Sequence, residues 1–77
     1  MTTPHDVHVC PSADRRHWHV MQGGDVRSAH RTQRAAVKAA RLLARRDHVE
    51  LVVHGRDGQI RAKDSFGRES SVYDGGR

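Results

Sequence analysis

Asp57 and Gly58 stand between two strand-like runs, Val49–His54 and Gln59–Lys63. An Asp-Gly pair in this setting is the strongest short signal for a β-hairpin, because a two-residue type I′ turn needs positive φ at both of its central positions. Read as such a loop, it sets Arg56 opposite Gln59, His54 opposite Arg61 and Val52 opposite Lys63. Val49, Leu51, Val53, Ile60 and Ala62 then share one face. A slip of one residue would turn that face to water, so the pattern fixes a register and demands a cover for the apolar side.

The rest of the chain offers more strands and one helix. In "HDVHVCP", Val7 and Val9 alternate with His8 and Cys10, the period of a half-buried strand. After the turn residues "SADRR", Trp18 and Val20 alternate with His17, His19 and Met21, so the two runs read as a hairpin. Gly23 and Gly24 break the second run, and "DVRSAH" reads as a short third strand. Thr32 is placed to cap the helix that follows, with a hydroxyl that accepts from a free N–H of the first turn. From there to about Asp47 the residues are nearly all strong helix formers. At roughly 100° per residue, Arg34, Lys38, Arg41 and Arg45 form one ridge, and Ala36, Ala39, Ala40 and Leu43 lie around the opposite side.

The expected fold is therefore α+β: a small antiparallel sheet of four or five strands, order ββ(β)αββ, with one amphipathic helix packed on one face. A length of 77 residues holds a single domain. Its ordered core is expected to run from about residue 5 to 68, with Asp64 and Ser65 ending the last strand, Phe66 docking back on the core, and residues 69–77 forming a flexible tail. Only Trp18, Phe66 and Tyr73 are aromatic, so the core is aliphatic and alanine-rich. Self-association would add buried surface that so thin a core lacks. The outward sheet face, with Cys10, Met21 and Val52, and the unpaired sheet edges are the surfaces for it.

Cys10 is the sole cysteine, which rules out an internal disulfide and makes the cytoplasm the default compartment. No apolar run approaches the roughly 18–20 residues of a membrane span, and Met1–Pro11 lacks the pattern of a signal peptide. No membrane association is expected.

The net charge of +5 is unevenly spread. Between Val26 and Arg46 stand Arg27, Arg31, Arg34, Lys38, Arg41, Arg45 and Arg46 with no carboxylate, a segment of +7, which leaves −2 on the remainder. Cations at successive turns of a straight helix can meet a nucleic-acid backbone without reading bases, and such binding is non-specific and salt-sensitive. The ordinary alternative is a solvated polar face, but such a face usually carries acids at i, i+4 and this one has none. Trp18 shares a face with Val20 toward the core, so no aromatic platform for bases is visible.

Two further constellations are weaker. Placing Val9 opposite Trp18 would bring His8, Cys10, His17 and His19 onto one outward patch, four residue types that zinc accepts, although four side chains on a flat strand pair seldom converge and the usual ligand spacings are missing. A solvated sheet face is the preferred reading, and no metal or other cofactor is expected. Lys63-Asp64-Ser65 suggests a nucleophile, but sequence adjacency supplies neither a base within reach nor an oxyanion site. A chain this short has little room for a closed pocket of roughly 300 Å³ or more, so neither enzymatic activity nor a small-molecule substrate is expected. The expected function is a non-enzymatic binding module whose ridge contacts nucleic-acid phosphates. The rival is a protein-interaction module, homodimeric or accessory, that works through the sheet face or edge.

The order of these segments is also familiar. "HVCP", a strand centred on "WHV", a helix opened by "TQ", and then "ELVVHGRDGQIRAKDSFG" resemble the family catalogued as domain of unknown function 2188, over about His5 to Gly67. "LVVHGRDGQIR" followed by "KDSFG" is the specific part. Phe66 stands where that family more often has Tyr, and Arg34 stands where acids are usual near the helix start. The resemblance implies fold and size, since the family comprises small, mostly microbial and phage proteins without an agreed activity. It implies no catalytic residue, and it makes the basic ridge a property of this chain rather than of the family.

Overall fold

A computed structural model describes residues 4–66, so the tail expected over residues 69–77 lies outside the described residues. Five strands and one helix follow in the order β1 (Val7–Pro11), β2 (Trp18–Gln22), β3 (Asp25–His30), α1 (Gln33–Asp47), β4 (Glu50–His54) and β5 (Ile60–Ser65). They form one sheet of order β3-β2-β1-β4-β5, with α1 lying across β1 to β4 on one face. The α+β class and the element order ββ(β)αββ stand.

One strand pair departs from the antiparallel expectation. β1 and β4 pair in parallel, and every other pair is antiparallel. The cause is topological. β3 occupies the free edge of β2, and α1 reverses the chain, so β4 sets out in the direction of β1 and docks on the one edge left open. Periodicity reports which face a residue takes and says nothing about strand direction.

Two turns also differ from expectation, and the difference is in glycine. Gly23 and Gly24 have φ of 61° and 86° between the paired residues Gln22 and Asp25, so the two-residue I′ geometry belongs to this turn. At the second hairpin Gly58 has φ of 87°, and Asp57 is not among the positive-φ residues. There Gly58 N donates to Gly55 O at 2.9 Å, Gly55 N donates to Gln59 O at 2.7 Å, and Asp57 Oδ1 accepts from Gln59 N at 3.1 Å. This is a three-residue loop, Arg56–Gly58, ending in a left-handed glycine. Val52 faces Lys63 as expected, but a bulge between Val53 and His54 sets His54 opposite Ile60 instead of Arg61. Ile60 consequently leaves the face of Leu51 and Val53 and is 56% exposed. Ala62 pairs with Val53 and stays exposed, because α1 does not extend over β5.

In the first hairpin Val9 pairs with Val20, Cys10 with His19 and Pro11 with Trp18, a shift of two residues from the expected register. Faces survive a shift of two, so Val7, Val9, Trp18 and Val20 remain inside. The longer loop is built by Ser12. Its N–H donates to His17 O at 2.8 Å, and its Oγ accepts from His17 N and donates to Asp14 Oδ1.

The core consists of Val7, Val9, Trp18, Val20, Val49, Leu51 and Val53 against Ala36, Ala40 and Ala44, with Ala39, Leu43, Val37 and Phe66 packed at its margin. Alanines spaced four apart let the helix axis approach the sheet closely. Thr32 caps α1 as expected, its Oγ1 accepting from Ala35 N at 3.1 Å. His48 closes the other end in the left-handed region, φ 56° and ψ 48°. Gln22, buried beneath this end, donates to His5 O and to Asp47 Oδ2. Phe66 docks as expected, with its N–H donating to Val49 O at 3.2 Å. Among the described residues no helix is long and apolar enough to cross a membrane.

Candidate anion-binding surface

Because Ala36, Ala40 and Ala44 face the sheet, the helical period sends Arg34, Lys38, Arg41 and Arg45 outward, where with Val37 and Leu42 they line one shallow groove of about 570 Å³. The structure brings the four cations together and then divides them. Arg41 Nη2 lies 3.5 Å from Asp64 Oδ2, and the Arg45 guanidinium sits 5.7 Å from the centre of the Phe66 ring. The side chains of Arg34 and Lys38 have no hydrogen bond or ion pair among the described residues. The upper half of the ridge therefore presents uncompensated charge, and the lower half is partly engaged by the end of the chain's last strand.

The Arg41–Asp64 pair is loose. Both side chains are about half exposed, 49% and 50%, and exposed pairs contribute only about 0–1 kcal/mol. Arg41 can exchange this partner for an external anion at little cost. The Arg45–Phe66 contact leaves the guanidinium N–H groups unspent, since a cation over a ring face uses the ring's quadrupole and not a hydrogen bond.

On the opposite sheet face the four histidine and cysteine candidates are not gathered. Cys10 pairs with His19, His8 pairs with Met21, and His17 sits exposed in the loop before β2. Among the described residues no group of three or more His, Cys, Asp or Glu is placed to hold a metal ion. Burial pushes the Cys10 thiol up from its ordinary range, which keeps it protonated and a poor ligand or nucleophile. Val52, expected on the open part of this face, is only 4% exposed between its register partners His8 and Lys63.

His8 has a different partner, His54. Parallel pairing of β1 with β4 brings His8 Nδ1 to 3.0 Å from His54 Nε2, with the rings stacked 5.3 Å apart. His54 Nδ1 lies 3.0 Å from Gly58 O, and a carbonyl only accepts. His54 therefore carries its proton on Nδ1, and His8 Nδ1 donates to the free Nε2. Burial lowers the His8 pKa below its ordinary 6.5, His54 lowers it further, and Asp6 opposes both. The pair ties β1 to the β4–β5 turn.

Asp64 and Ser65 are the last two residues of β5, as expected, and strand alternation separates Lys63 from Asp64. Lys63 Nζ is 4.0 Å from Glu50 Oε1 on one face, and Asp64 reaches Arg41 on the other.

A second basic cluster was not foreseen. At the start of α1, an open cleft of about 610 Å³ is lined by Arg31, Arg56 and Arg61 above a floor of Trp18, Val53 and Ala62. The expectation that a chain of this size lacks such a volume concerned closed pockets, and this cleft is open to solvent. Arg56 and Arg61 enter it through the turn and bulge of the β4–β5 hairpin. Only the correct turn type would have revealed them.

A family model described as an uncharacterised protein conserved in bacteria (DUF2188) matches residues 7–66, most of the chain. No curated protein and no solved structure matches.

Proposed function

The chain belongs to the DUF2188 family, and we propose that it is a small non-enzymatic binding module that docks on nucleic-acid phosphates without reading bases. The observation that carries this reading is the pair Arg34 and Lys38, one helical turn apart, outward-facing and without a counter-charge among the described residues. A helix advances about 5.4 Å per turn, comparable to the spacing of phosphates along a strand, so consecutive ridge residues can meet consecutive phosphates. Arg41 joins them by leaving Asp64, and Arg45 supplies a fourth contact from above Phe66. Val37 and Leu42, the latter 64% exposed, give the groove an apolar strip against which sugars can lie.

The test is retention of a short labelled DNA or RNA by the purified chain at low and at moderate salt. Retention that falls steeply with salt, and is lost in the variant Arg34→Glu, Lys38→Glu, supports the reading. No retention at low salt, or retention indifferent to the substitutions, ends it.

A second reading rests on a separate observation. β3 and β5 are the sheet's two edges, and each carries an exposed large apolar residue, Val26 at 52% and Ile60 at 56%. Edge strands with unpaired backbone groups are templates for pairing with another strand. On this reading the chain associates with a copy or another protein through an edge. Sedimentation of the wild type and of Val26→Lys and Ile60→Lys separates the two readings, since edge pairing predicts dissociation by one of these substitutions and the phosphate reading predicts no change.

A further inference from the structure

We infer that the cleft at the start of α1 is a binding site for an organic phosphomonoester of about mononucleotide size, distinct from the ridge. Three arginines, Arg31, Arg56 and Arg61, line this cleft from two separate segments, and among the described residues no carboxylate lines it. None of the three side chains has an ion pair or hydrogen bond among the described residues. Like charges brought together without compensation repel, and a bound anion removes that repulsion. A phosphomonoester carries close to two negative charges near neutral pH and three terminal acceptor oxygens, which suits three planar donors of paired N–H groups better than a single carboxylate does.

The walls argue for more than inorganic phosphate. Trp18 and Val53 belong to the core and, with the exposed Ala62, give the cleft an apolar side, and the volume of about 610 Å³ falls within the roughly 300–1,000 Å³ of small-molecule sites. An anion alone would leave that side wet.

Gly55 shows by what path one of the arginines reaches the cleft. A Cβ built on Gly55 would come within 2.5 Å of Arg61 Nε and 3.0 Å of its Cγ, so the Arg61 side chain lies across the bare backbone at this point. Gly55 is not among the positive-φ residues and its conformation does not call for glycine. What the missing side chain provides is room for Arg61. Gln33 fixes the facing wall, its Nε2 donating to His54 O at 3.0 Å and so tying the helix start to the end of β4.

Phosphodiesters within a strand carry one charge each and suit the open ridge, whereas the cleft suits a terminal or free monoester. The site therefore stands even where the ridge proves inert. The test is a two-dimensional NMR titration of the full chain with a nucleoside 5′-monophosphate, the matching nucleoside and inorganic phosphate. The expected result is saturable shifts at Trp18, Arg31–Gln33 and Gly55–Arg61 with the monophosphate, none with the nucleoside, and weaker binding of inorganic phosphate. Arg56→Gln and Arg61→Gln each weaken the monophosphate by about tenfold or more, and Arg34→Gln leaves it unchanged. Gly55→Ala retains all three charges and moves only Arg61, so it weakens binding several-fold. The inference is overturned by shifts confined to the α1 ridge, by inorganic phosphate binding as tightly as the monophosphate, or by the absence of shifts at low salt.

Discussion

The two halves of the α1 ridge carry the same formal charge and meet different surroundings. Arg34 and Lys38 point outward with no counter-charge among the described residues, whereas Arg41 and Arg45 reach the end of β5, where Asp64 and Phe66 meet them. A helical wheel treats the four as equivalent. What separates them is a strand that arrives from some twenty residues further along the chain, so alignment on a helix measures where charge points and not how much of it is free.

The comparison can be broken at several places. The largest effect is expected from charge reversal. Arg34→Glu with Lys38→Glu lowers oligonucleotide affinity at low salt by about tenfold or more, and Arg41→Glu with Arg45→Glu lowers it by less, as direct binding curves for the two variants would show. Equal losses would mean that the halves do not differ. Next comes Phe66→Ala, which removes a half-buried ring from the margin of the core and is expected to cost about 1–3 kcal/mol in denaturant unfolding, below the range for a fully buried aromatic. A loss of under about 0.5 kcal/mol would show that Phe66 is not docked in solution.

Asp64→Asn sharpens the comparison in the other direction. It frees Arg41, so affinity rises about twofold to threefold while stability changes by no more than about 1 kcal/mol, because the pair it breaks is half exposed. Unchanged affinity would show that Arg41 is already available.

The smallest expected effect is a pH dependence on the far side of the sheet. The His8 pKa lies below 6.5 in the fold, chiefly through burial. Below that pH the unfolded chain binds the proton first, so stability falls as pH drops through 6.5 and gains no dependence from this group above it. A melting series from pH 8 to 5 on the wild type and on His8→Asn tests this, and identical slopes would contradict it.

How legible all this was in the sequence follows from what each signal encodes. Residue faces were legible in the first hairpin, because alternation survives a register error of two: Val7, Val9, Trp18 and Val20 are inside even though Val9 meets Val20 and not Trp18, whereas the bulge in the second hairpin turned Ile60 off its expected face. The helix was legible to its cap, since Thr32 acts within one turn of itself. Turn type was not, because Gly-Gly and Asp-Gly both permit positive φ and only the strands around them decide which is used. Strand direction was not legible either, and with it went the His8–His54 contact across the parallel pair. Of the candidate site, the ridge was visible as a local pattern. The Asp64 and Phe66 contacts and the convergence of Arg56 and Arg61 on Arg31 depend on where β5 lies, which no local pattern states.

The salt dependence of oligonucleotide binding tests the central claim most directly, because its slope reports how many cations displace counterions rather than how tightly the chain binds. The slope for Arg34→Gln with Lys38→Gln should be shallower than the wild type by about 2, and that for Arg41→Gln with Arg45→Gln shallower by less. A wild-type slope near zero, or the larger drop in the second pair, would contradict the account.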